Sequence, residues 1–79
     1  QVLKNVRVTD KTAAQNDPAV QAMVAQVTQE LGDTGRILVR ESGTEPVLRV
    51  MVEAPEEEIC QKYVDGVVEV IQEKGYVAE

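Results

Sequence analysis

Apolar residues recur with two different periods along this chain, and the places where the period changes mark out its elements. Val2, Val6 and Val8 fall on one side of an extended segment at the two-residue spacing of a strand, and the polar Thr9-Asp10-Lys11 ends it. Further on, Val20, Met23, Val24, Val27 and Leu31 recur at the spacing of a helix. Asp17-Pro18 starts that helix, because Asp accepts from free backbone N–H groups as an N-cap and Pro at the first helical position has no N–H to lose. Gly32 stops it, and Lys11 to Asn16 reads as a polar connection between strand and helix.

After the turn Gly32-Asp33-Thr34-Gly35 the two-residue period returns. The runs Arg36 to Glu41 and Val47 to Ala54 are rich in β-branched and apolar residues, and Ser42-Gly43-Thr44-Glu45-Pro46 separates them, which predicts a hairpin with an enlarged loop. Ile37 and Val39 share a face in the first run, as do Leu48, Val50 and Val52 in the second, and these form the surface for packing helices. Arg36, Arg40, Ser42 and Arg49 point the other way together with Leu38, Val47 and Met51, an apolar patch expected to meet another domain. Pro55 and the acidic Glu56, Glu57 and Glu58 open a second helix, since carboxylates are favoured at the positive end of a helix dipole. Ile59, Tyr63, Val67, Val70 and Ile71 make its apolar stripe, Gly66 is a tolerated weak point, and Lys74-Gly75 ends it. Tyr76-Val77-Ala78 is left open between strand and coil. The order β-α-β-β-α predicts an α+β fold, a two-layer domain with a small antiparallel sheet and two helices packed on one face.

Length and charge narrow the function. With 79 residues there is room for one core, and no apolar run nears the roughly 20 residues that span a membrane. Eight Lys and Arg against 14 Asp and Glu give a net charge of −6, so a nucleic-acid duplex or an anionic membrane surface would repel the chain. Without Trp or Phe, and with Tyr63 and Tyr76 alone, it has no stacking platform for single strands either. Cys60 is the single cysteine, so no internal disulfide forms, which suits a reducing cytoplasm; with no His to activate it, it reads as a small packed residue on a helix. The N-terminus carries neither Met nor the features of a signal peptide, and the expectation is a piece of a longer, cytoplasmic chain.

The hairpin loop holds the chemistry. Ser42 and Thr44 offer hydroxyls on either side of Gly43, whose missing side chain lets backbone N–H groups approach a ligand and lets φ become positive. In the simplest hairpin register Arg40 and Arg49 project on one face beside that loop. A phosphate monoester, with close to two negative charges and three acceptor oxygens, matches two guanidinium forks, two hydroxyls and backbone N–H groups. Glu41 and Glu45 would oppose it unless they turn away or pair with an Arg, and on residues alone a solvated turn remains the alternative.

The stretch Gly35 to Glu53, with Arg40-Glu41-Ser42-Gly43-Thr44-Glu45-Pro46-Val47-Leu48-Arg49-Val50 at its centre, resembles the last-domain signature of the α-D-phosphohexomutases. The continuation Met51-Val52-Glu53 is most similar to the bacterial phosphoglucosamine mutases, with the phosphomannomutase/phosphoglucomutase enzymes as the alternative. The resemblance implies a four-domain enzyme that interconverts glucosamine 6-phosphate and glucosamine 1-phosphate, a peptidoglycan precursor. It implies a transferable phosphate on a first-domain serine, Mg²⁺ on the second domain and sugar selection by the third. The chain here would be the fourth, holding the phosphate already on the sugar through Arg40, Ser42, Gly43, Thr44 and Arg49, with Arg36 a weaker candidate. It would then bind no cofactor, contain no catalytic residue, be inactive alone, and have the sugar phosphate and the parent's other domains as partners. A free-standing anion-binding regulatory domain, or an interaction domain whose arginines meet a partner's carboxylates, are the readings from other classes.

Overall fold

Val47 to Glu53 is the most apolar strand of the chain, and it takes the one place in the sheet where both edges are covered. The structure, a computed structural model, describes residues 1–78. Its elements are β1 (Val2–Arg7), α1 (Lys11–Asn16), α2 (Pro18–Leu31), β2 (Arg36–Glu41), β3 (Val47–Glu53) and α3 (Glu57–Glu73), with a single 3₁₀ turn at Gly32–Thr34. The sheet order is β1-β3-β2 and both pairings are antiparallel. Leu48, Val50 and Val52 of β3 are fully buried under the helices, together with Val27 of α2 and Val64, Val67 and Ile71 of α3. This is the α+β, two-layer arrangement that the pattern predicts.

Three details differ from that pattern. Lys11 to Asn16 is a helix, not a polar connection: the Asp10 carboxylate caps it by accepting from Ala13 N at 3.0 Å, and buried Ala14 anchors it. Six residues hold too little apolar periodicity to announce a helix, so the cap and one alanine decide it. The second long helix begins at Glu57, with Glu56 at the cap position and Pro55 outside it. Its buried stripe is Cys60, Val64, Val67, Val68 and Ile71, whereas Ile59 is 37% exposed. Cys60 and Val64 are fully buried against the core, one position on from Ile59 and Tyr63, so the helix faces the sheet slightly turned from the expected stripe and leaves Tyr63 and Val70 at the margin. Cys60 is fully buried and its thiol faces the Ala54 carbonyl oxygen at 3.7 Å.

The C-terminal segment returns to the sheet. Val77 forms a single antiparallel bridge with Val8, Thr9 N donates to Tyr76 O at 2.8 Å, and Ala78 N donates to Arg7 O at 2.9 Å. The Tyr76 hydroxyl reaches across to Asp17 Oδ2 at 2.8 Å while Asp17 Oδ1 accepts from Ala19 N at 2.8 Å, so one carboxylate both caps α2 and holds the tail. The Tyr76 hydrogen bond is the main reason the Asp17 carboxyl titrates below its ordinary range. Gly35 is required by close approach: a Cβ there would run into the Glu53 carbonyl oxygen. Among the described residues no helix is long and apolar enough to cross a membrane.

Candidate anion-binding site

With α2 and α3 covering one face of the sheet, the alternation of each strand sends its remaining side chains to the other. Counted from the loop end, the first row of this open face is Val47 beside Arg7; the next is Arg40, Arg49 and Asn5; then Leu38, Met51 and Leu3; and last Arg36 and Glu53. Arg40 and Arg49 are direct partners in the β2–β3 register, and both are exposed. Like charges directly opposite one another on a sheet are destabilising by themselves. Among the described residues the ion pair is Arg36 Nε with Glu53 Oε1 at 3.5 Å, at the far end of the face, and it occupies the guanidinium of Arg36. Arg40 and Arg49 have no carboxylate partner among these residues.

The loop between the strands is shaped from α1. Lys11 Nζ donates to Ser42 O at 2.5 Å and to Glu45 O at 3.3 Å, so one ammonium ties both sides of the loop. Thr12 Oγ1 donates to Glu41 Oε2 at 3.0 Å, and Glu41 N donates to Gln15 Oε1 at 3.0 Å. These contacts draw the Glu41 carboxylate to the helix side of the sheet, away from the arginines. Within the loop Ser42 N donates to Val47 O at 2.9 Å and Val47 N to Glu45 O at 2.7 Å. The β1 edge is fastened to it by Val8 N, which donates to Pro46 O at 2.9 Å.

The residues singled out in the sequence therefore take different positions. Gly43 and Thr44 are exposed at the tip, next to the exposed Arg40 and Arg49. Ser42 is 8% exposed, and its hydroxyl oxygen accepts from Glu45 N at 3.4 Å, which leaves the hydroxyl hydrogen as its means of reaching a ligand. Gly43 does not have positive φ; that conformation belongs to Gly32 and Gly75, and a Cβ at Gly43 would meet nothing within 4 Å. What glycine provides at 43 is an open surface over the loop. Sequence reasoning missed Arg7, whose side on the strand could be read from its alternation with Val6 and Val8 but whose register against Val47 could not. It also missed Lys11, Thr12 and Gln15, because they lie in a helix too short to signal itself.

A shallow recess of about 110 Å³ lined by Gln15, Gln21, Val24 and Val39 opens on the helix side and is separate from the arginine face. Among the described residues no three His, Cys, Asp or Glu side chains come together as a metal ion would need. On the open face, charge and hydrogen-bond donors are therefore what the described residues present to a ligand.

Comparison with known proteins identifies the family. The family model for the phosphoglucomutase/phosphomannomutase C-terminal domain matches residues 3–70. The chain is 67% identical over 76 residues to a phosphoglucosamine mutase of Lachnospira eligens, covering 96% of the chain and 17% of that relative. It is 58% identical over 77 residues to one of Lachnoclostridium phytofermentans, covering 98% of the chain and 17% of the relative. With one of Exiguobacterium sibiricum the figures are 55% over 79 residues, 100% of the chain and 18% of the relative. The chain thus spans less than a fifth of the length of these curated relatives.

Proposed function

Since the chain belongs to the phosphoglucomutase/phosphomannomutase family as its C-terminal domain, we propose that it grips the phosphate of a sugar-phosphate substrate for a parent enzyme. The parent interconverts glucosamine 6-phosphate and glucosamine 1-phosphate, a reading supported by the phosphoglucosamine mutases to which the chain is similar. The observation that carries the grip is the direct pairing of Arg40 with Arg49, without a carboxylate partner among the described residues, while the Glu41 carboxylate next to the loop is turned to Thr12.

On this reading the phosphate lies against Arg40, Arg49, Gly43 and Thr44, with the Ser42 hydroxyl donating from below. The domain positions the substrate and makes no bond. Holding the far phosphate places the reacting hydroxyl at high effective concentration near the transferable phosphate, and both orientations of a bisphosphate can use the same grip. The phosphoserine and Mg²⁺ implied by the resemblance belong to other domains of the parent. The parent works in the cytoplasm, on the route to peptidoglycan.

An amide-resolved NMR titration of the chain tests this, once a dispersed spectrum has established that it folds alone. Inorganic phosphate and glucosamine 6-phosphate are expected to shift Arg40 to Arg49, and unphosphorylated glucosamine to leave them in place. Remote shifts, or an equal response to glucosamine, would refute the loop as the site.

A further inference from the structure

We propose that Arg7 is a third phosphate-binding arginine, which closes the anion site on its β1 side and sets how the ligand lies across the sheet. The proposal deepens the reading above and rests on it.

All four arginines of the chain stand on the open face of the sheet, on three different strands. The four lysines are elsewhere: Lys4 on the opposite face of β1, Lys11 in α1, Lys62 in α3 and Lys74 at its end. Arg36 is engaged by Glu53, whereas Arg7, Arg40 and Arg49 are exposed and have no carboxylate partner among the described residues. In a chain with 14 Asp and Glu, three guanidinium groups at one end of one face without a carboxylate partner among the described residues are an arrangement that an anion completes.

Arg7 is placed for that role. It pairs with Val47, one row closer to the loop than Arg40 and Arg49, and lies diagonally across from Arg49, about 7–8 Å away by general sheet geometry. Its backbone is fixed on both sides, by Ala78 N donating to Arg7 O at 2.9 Å and by Val8 N donating to Pro46 O at 2.9 Å. The strand that carries it is therefore fastened to the loop it would serve. Val47, the register partner of Arg7, is only 7% exposed although it is outside the core cluster, so the face beside Arg7 is partly closed to solvent. A phosphate held between the loop tip and Arg40 has its β1 side uncovered, and a planar guanidinium there offers two further donors.

The test is made in the full-length protein that carries this chain, by following turnover of glucosamine 6-phosphate and its competitive inhibition by inorganic phosphate. Arg7→Gln is expected to raise KM and the phosphate inhibition constant about tenfold while kcat changes less, and Arg7→Lys to recover part of the loss. If Arg7→Gln leaves both values at those of the parent while Arg40→Ala raises them, the proposal is overturned and the loop site stands. If neither variant changes them, the loop site falls and this proposal with it. A lowered melting temperature with unchanged KM assigns Arg7 to the fold alone and also overturns it. Should Arg7→Gln not fold, Arg7→Met, which keeps the apolar stem, takes its place in the same comparison.

Discussion

At Gly43 neither backbone conformation nor packing calls for glycine, and the proposed function gives the missing side chain a role. Its φ is not positive and a Cβ would meet nothing, so Gly43→Ala is expected to leave the melting temperature of the domain unchanged. The same change puts a methyl group where a phosphate would sit, and affinity for inorganic phosphate should fall about tenfold or more, read by titration at constant stability. Gly35 is the opposite case. Its extended backbone suits any residue, but a Cβ would strike the Glu53 carbonyl oxygen, and Gly35→Ala should destabilise the fold by about 1–3 kcal/mol in denaturant unfolding, with the arginine face unaltered in chemistry. From sequence both are turn glycines. Which of them is held by strain, by packing or by a ligand depends on what lies across from it, and that is set by register.

Helix starts were readable where a side chain makes them locally. Asp17 before Pro18 signals its helix because cap and proline act within a few residues, and the structure places the cap there. That the same carboxylate also accepts from Tyr76, 59 residues on, could not be read locally. The Asp17 carboxyl is lowered below 3.8 in the folded domain, so it adds stability above the unfolded pKa of about 3.9, and that stability is lost as the pH falls through the lower folded value. Tyr76 is raised above 10.0 by the same bond, so its share is present below about pH 10 and is lost at more alkaline pH. Tyr76→Phe should therefore melt below the parent at pH 7, with the gap narrowing as Asp17 is protonated. A gap that stays constant from pH 7 to pH 2 would show that the bond contributes nothing through the charge. The stripe of α3 was readable as a helix and misjudged in rotation, because apolar residues stand on adjacent positions, Ile59 with Cys60 and Tyr63 with Val64, and packing against the sheet decides which of each pair is buried.

For the whole molecule, the two periods were enough to give the α+β architecture, since a face of Leu48, Val50 and Val52 has to be covered and two amphipathic helices are there to cover it. They also separated the arginine face from the core. Less legible was the order β1-β3-β2, which places Arg7 and Asn5 beside Val47 and Arg49. It follows from β3 being the most buried strand, a property of the assembled sheet. The open face carries an apolar row of Leu3, Met51 and Leu38, with Leu3 57% and Leu38 37% exposed. On the proposed function this row lies against another domain of the parent. A thiol introduced as Leu38→Cys, in a chain whose Cys60 is buried, should react quickly with a maleimide in the isolated domain and at least about tenfold more slowly in the full-length protein. Equal rates would leave the row facing solvent.

The ties between α1 and the loop bear on when the site comes into being. Lys11 and Gln15 grip positions 26 to 34 residues further along the chain, and Val8, just after β1, fastens to Pro46 over a still longer separation. The hairpin of β2 and β3 can close early from local contacts, but the loop at its tip gains its shape only after the N-terminal strand and α1 have docked on it, because such distant contacts have the entropy of a long chain closure against them. An emerging or refolding chain would thus have a hairpin before the loop at its tip takes the shape that the proposed site needs.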